Sequence, residues 1–116
     1  MLHTPYADMA FPTQTQAAGT FSSGPLANAG LANWCALYAN VSAASGTTHT
    51  LDVKLQGSND GASWTDIPGA AITQITGTAN SAATSGPVPY EYVQAVATVG
   101  GTGSPSVTFA ASVVLF

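Results

Sequence analysis

Beyond Leu31, apolar residues recur at every second position through most of the chain, and this period constrains the fold more than any other feature. Leu51, Val53 and Leu55 alternate with Asp52, Lys54 and Gln56, as in a strand with one buried face. Val107, Phe109, Ala111, Val113 and Leu115 repeat the pattern at the C-terminus. Val93, Ala95, Ala97 and Val99 share one face of another strand, with Tyr92, Val96 and Thr98 on the other. Leu31 to Val41 is apolar on both faces and reads as a strand central to the fold, while Ser63–Ile67 and Ala71–Thr76 read as short strands. No window carries a capped stripe of 3.6-residue period, so a helical fold is excluded. About seven short strands with regular turn signals predict an all-β single β-sandwich, jelly-roll or immunoglobulin-like. Both orders stay open, because alternation does not give strand order.

The first thirty residues differ. Pro5, Pro12 and Pro25 interleave with Gly19, Gly24 and Gly30, with one possible strand near Thr13–Phe21. Proline and glycine at this density confine strands to short pieces. The expected organisation is an extended N-terminal arm over 1–19, followed by a β-sandwich domain over 20–116. The arm's apolar residues Leu2, Tyr6, Met9 and Phe11 need cover, which a neighbouring subunit could supply. Two later stretches look alike: Ser45-Gly46-Thr47 and Gly100-Gly101-Thr102 each join two alternating runs, and each predicts a hairpin.

Charge is the second constraint. Lys54 is the one basic residue, against Asp8, Asp52, Asp60, Asp66 and Glu91. Charged residues make up 5% of the 116 positions, where ordinary soluble domains carry about 25%. The surface must therefore be built from Ser, Thr, Gly, Ala, Asn and Gln. Protein interfaces are depleted of charge at their centres, so a surface poor in charge throughout suggests one that is covered in its working state. Nucleic acid is not an expected partner, since its binding rests on Lys and Arg at phosphates. Nor is a membrane: no stretch approaches the roughly 20 apolar residues of a helical span. Met1 to Pro12 has no basic or apolar leader pattern, so no secretory signal is expected.

Residues that carry chemistry are sparse. Cys35 lies in an apolar run and reads as a small buried hydrophobe. His3 and His49 have no second ligand at metal spacing, and Gly100-Gly101-Thr102-Gly103 lacks the lysine and helix of a phosphate loop. No catalytic residue, cofactor or metal is expected, and the chain is read as a non-enzyme. Asp60 and Asp66 flank one turn and could be read as calcium ligands, although capping of the turn explains Asp60 equally well. Trp34, Tyr38, Trp64, Tyr90, Tyr92 and Phe109 would form a carbohydrate platform if several were exposed in a row; otherwise they are core.

The strongest local signal is Ser58-Asn59-Asp60-Gly61-Ala62-Ser63-Trp64. Asn and Asp bond their own backbone and glycine supplies positive φ, so Asn59, Asp60 and Gly61 read as a structural turn that leaves Trp64 to pack across two strands. This turn, followed by Thr65-Asp66-Ile67, resembles the hairpin of discoidin-type domains, in whose later Tyr-Val-Arg place Tyr92-Val93-Gln94 stands with Gln instead of Arg. It is also similar to the Asp-box turn of sialidases, with one residue missing before the tryptophan. A wider set runs from Val41-Ser42-Ala43-Ala44-Ser45-Gly46 through Thr50–Ser58 to Tyr92–Gly101 and Ser104–Phe109. That set resembles small β-sandwich virion proteins of tailed bacteriophages, of the capsid decoration (cement) type.

The resemblance implies a homo-oligomeric structural protein of the virion, made in the host cytoplasm and released by lysis. Its partners would be the major capsid protein or other virion proteins. A decoration protein on the outer capsid surface is the first expectation. A tail or head-fibre component and a carbohydrate-binding module for host attachment are the alternatives.

Overall fold

A computed structural model describes residues 6–27 and 34–115. Nine strands run β1 (Tyr6–Ala17), β2 (Gly19–Ser22), β3 (Leu26–Ala27), β4 (Cys35–Ser45), β5 (Thr48–Ser58), β6 (Thr65–Ala71), β7 (Asn80–Ser85), β8 (Tyr92–Thr102) and β9 (Ser106–Leu115). A four-stranded sheet has the order β1-β9-β4-β7, and a five-stranded sheet has β2-β8-β5-β6, with β3 also pairing β8. If β2 and β3 count as one interrupted strand along β8, the chain has eight stations. The first then pairs the last, the second the seventh, the third the sixth and the fourth the fifth. That is a folded hairpin wrapped into two sheets, the jelly roll. The all-β sandwich read from the sequence is the fold, and the order is the jelly roll's.

The buried face of each strand is the one the alternation marks. In β9 every second residue from Val107 to Leu115 is buried, and in β8 the same holds for Val93, Ala95, Ala97 and Val99. Leu37 and Val41 from β4 and Leu51, Val53 and Leu55 from β5 complete the layer between the sheets. Phe109 is fully buried at its centre, its ring centroid 5.6 Å from that of Phe11. β4 is interior to its sheet but buried on one face only: Tyr38, between buried Leu37 and Ala39, is exposed. The reading of this run as apolar on both faces is corrected to that extent.

Two further expectations change. Tyr6–Ala17, assigned by the sequence to an arm over 1–19, is a strand of the sandwich paired antiparallel with β9. Register shifts on both sides of Phe11 let a bulged strand aim one side chain afresh, and Phe11 is 3% exposed in the chain's own core. Pro12 is tolerated because β1 is an edge strand with no ladder partner on its outer side. Phe11 therefore needs no neighbouring subunit; Tyr6 and Met9 are placed in the same strand, and Leu2 lies outside the described residues.

The two expected hairpins are instead crossovers between sheets. β4 and β9 belong to the four-stranded sheet, while β5 and β8 belong to the other. A short turn between two alternating runs cannot show whether they pair with each other. Here each pairs with the matching strand of the other crossover, Ser45 with Ser106 and Thr48 with Thr102. The two turns thus lie side by side, held by Thr47 N–H donating to the Thr102 carbonyl at 3.0 Å.

Candidate functional site

The Ser58–Trp64 segment is a true hairpin turn, since β5 and β6 pair directly from Gly57–Thr65. The buried Ser58 hydroxyl accepts the N–H groups of Asp60 and Gly61, at 3.3 and 2.9 Å, and donates to Asp60 Oδ1 at 2.9 Å. Asp60 Oδ1 also accepts the N–H groups of Ala62 and Ser63 at 2.8 and 2.9 Å. Asn59 Oδ1 accepts the Glu91 N–H at 3.2 Å, tying the turn to the start of β8. The Tyr90 ring packs against Gly57, where an added Cβ would meet it at 2.2 Å. Trp64 is half-buried at the entry to β6, outside the main core cluster.

Asp60 Oδ1 and both carboxylate oxygens of Asp66 have partners within the chain. Asp66 Oδ1 takes the Gln56 amide at 2.8 Å and Oδ2 takes Lys54 Nζ at 3.1 Å. Among the described residues no group of three metal-ligating side chains forms. The backbone N–H groups of Ser63 and Ala62, with the Ser58 hydroxyl, hold the Asp60 carboxyl down to about 2 from its ordinary 3.8. A depressed carboxyl contributes stability that is complete above its unfolded value and lost as pH falls through its folded one. The melting-temperature difference between the wild type and Asp60→Asn is therefore expected to be constant above about pH 5 and to shrink between pH 4 and pH 2. Melting curves at stepped pH check this; a pH-independent difference would show the carboxyl's charge to be irrelevant. Cys35 is 1% exposed, and burial pushes its thiol up, which keeps it protonated and inert.

The distinctive surface lies elsewhere. The outer face of the five-stranded sheet carries Asp52, Lys54 and Asp66, with the hydrogen-bonded row Ser22–Gln94–Gln56–Asp66 running across all four strand positions. Asp60 and Glu91 sit at the Ser58–Trp64 end. Among the described side chains, the outer face of the four-stranded sheet has none of these charges; Asp8 belongs to β1 of this sheet, and its side chain lies outside the described residues. The described side chains of this face include Ala82 and Thr84 on β7, Tyr38 on β4, and Ala110, Ser112 and Val114 on β9. Tyr38, 45% exposed, stands near its middle. Trp34, 41% exposed, stands one residue before β4 and lines an open hollow with Thr84, Ser85 and Gly86.

Sequence reasoning noticed the shortage of charge but not that the described strand charges, Asp52, Lys54 and Asp66, share the outer face of one sheet. The signal was present: Asp52, Lys54 and Gln56 fall on one strand's solvent face, whereas Ala110, Ser112 and Val114 fall on another's. Of the aromatic residues considered together as a platform, Phe109 is core, Tyr90 covers Gly57, and Trp34, Tyr38 and Tyr92 are exposed.

No protein-family model matches the chain, and no curated protein matches it in sequence. Among solved structures, the chain is similar to the SPBc2 prophage-derived protein YomS, with a TM-score of 0.56 and 13% identity over 98% of this chain and 96% of that one. It also aligns with a Bacillus endospore appendage protein from a family of disulfide-linked pili, at a TM-score of 0.48 and 12% identity over 99% and 90% of the two chains. A third is the CBM36-1 domain of a xylanase from the hindgut metagenome of Trinervitermes trinervoides, at 0.49 and 7% identity over 96% of each. At these identities the likeness to YomS is one of fold.

Proposed function

We propose that the chain is a structural component of a bacteriophage particle and that the uncharged outer face of the four-stranded sheet is the surface by which it is built in. The observation that carries this is the segregation of charge among the described side chains. A flat face without a described ionic side chain can be buried against a neutral partner without stranding a charge, which is the costly step in forming an interface. The fold likeness to a prophage-derived protein supports a phage setting.

Within that reading the protein decorates the outer surface of an assembled capsid. Binding only the assembled state stabilises it by mass action. The test is co-sedimentation of the purified protein with particles that lack it, followed by heating of the loaded particles. Saturable binding and a raised disruption temperature support decoration. Binding to isolated tails instead would move the protein to the tail.

A second reading has its own observation. Trp34 and Tyr38 are both exposed beside one strand, and exposed aromatic rings stack on the apolar faces of sugars. A carbohydrate-binding role in host attachment follows if immobilised host polysaccharide retains the wild type and releases Tyr38→Ala.

A further inference from the structure

A two-sheet sandwich has four edges, and each open edge is a template for another strand unless something blunts it. Three edges of this protein are blunted. β1 carries two register shifts, with Pro12 inside the second. β2 and β3 are short and separated by Gly24 and Pro25. β6 carries Pro68, Gly69 at positive φ, a register shift against β5, and Asp66.

β7 carries none of these devices, and its one described hydrogen bond to β6 is at its end, where the Ser85 hydroxyl donates to the Pro68 carbonyl. Asn80-Ser81-Ala82-Ala83-Thr84-Ser85 has no charge, proline or glycine, and it pairs with β4 without interruption from Asn40–Asn80 to Cys35–Ser85. The Val41 N–H donates to the Ala79 carbonyl at 2.9 Å. Hydrogen-bonded and non-bonded pairs alternate in an antiparallel ladder, so Ser81, Ala83 and Ser85 bond to β4. Asn80, Ala82 and Thr84 then turn their N–H and C=O groups away from the sheet. Their side chains are exposed.

We infer that β7 is a strand-addition edge whose occupant is β7 of a second copy, joined antiparallel about a two-fold axis. The three outward residues form a self-complementary set. With Ala82 opposite its own copy, Asn80 falls opposite Thr84 and Thr84 opposite Asn80, two side chains that can hydrogen-bond across the join. Each of these pairs exchanges both backbone bonds, giving about six new ones. Copies of net charge −4 repel, but this edge brings no charge of its own strand to the contact, and Asp66 on the neighbouring β6 is paired with Lys54. The join would also make the two uncharged outer faces continuous. It is independent of what those faces dock on.

The test is sedimentation equilibrium of the free full-length chain up to millimolar concentration, with no particle present. The wild type is expected to show a monomer–dimer equilibrium, and Ala82→Pro to weaken it at least tenfold. Proline at 82 removes an outward N–H and leaves the β4 ladder intact, so its circular dichroism should match the wild type. Cysteine pairing gives the register without relying on that variant. Under mild oxidation Ala82→Cys should link to itself, whereas Asn80→Cys and Thr84→Cys should link only when mixed. A wild type that stays monomeric at every concentration, or cross-linking indifferent to position, overturns the inference.

Discussion

Phe109→Ala is expected to destabilise the protein by about 3–5 kcal/mol, the usual cost of removing a large buried aromatic side chain. Phe109 is fully buried on β9, the strand between β1 and β4, and its ring meets that of Phe11. The cavity would open where β1 is attached, and the bulged β1 has little freedom to collapse into it. Against a total of about 5–15 kcal/mol for a domain, the variant is expected to melt about 10–25 °C lower. Denaturant titration with tryptophan fluorescence checks the size. Tyr38→Ala is the matched control: its ring lies on the outer face, and surface changes of this kind stay within about 0.5 kcal/mol. Equal losses for the two would mean that the assignment of inner and outer faces is wrong.

Gly101→Ala is expected to cost about 2–5 kcal/mol, combining a strained backbone conformation with a clash. Gly101 has φ of 129°, and a Cβ there would lie 2.2 Å from the Thr48 carbonyl oxygen. That oxygen belongs to the other crossover, so relief requires moving one sheet-to-sheet connection against the other. Gly86→Ala makes the comparison, because nothing lies within 4 Å of its added Cβ. Melting temperatures that fall equally in both would show that the crossovers are not packed side by side.

The parts of the fold legible in the sequence were those whose side chains obey the period. β5, β8 and β9 alternate cleanly because each has one face in the core and one in solvent, and their buried residues are the ones the pattern marks. β7 was illegible for a physical reason. Its Ser, Ala and Thr side chains bury little beyond Ala83 against the core, and it is held mainly by its ladder to β4, with Ser85 bonded to the Pro68 carbonyl. The strand expected over Ala71–Thr76 proved to be the end of β6 followed by a single bridge from Ile75 to Leu51. β1 was hidden by Pro12 and by bulges that break the period. The crossovers were misread because pairing is non-local while turn residues report only the local bend.

The candidate surface was half legible. The sequence shows that charge is scarce and that Asp60 belongs to a turn. The sorting of charge between two faces needs the strand order that only folding supplies.

The most direct measurement of the central claim is particle binding by two lysine variants of one design. Ser112→Lys places a charge on the outer face of the four-stranded sheet, beside Tyr38. Thr98→Lys places the same charge on the outer face of the other sheet, beside Asp52. Both sites are on solvent-facing sides of interior strands, so melting temperatures should be nearly unchanged. The account predicts that Ser112→Lys loses at least tenfold in affinity for particles lacking the protein, while Thr98→Lys binds as the wild type does. Full binding by Ser112→Lys, or a loss confined to Thr98→Lys, would contradict it.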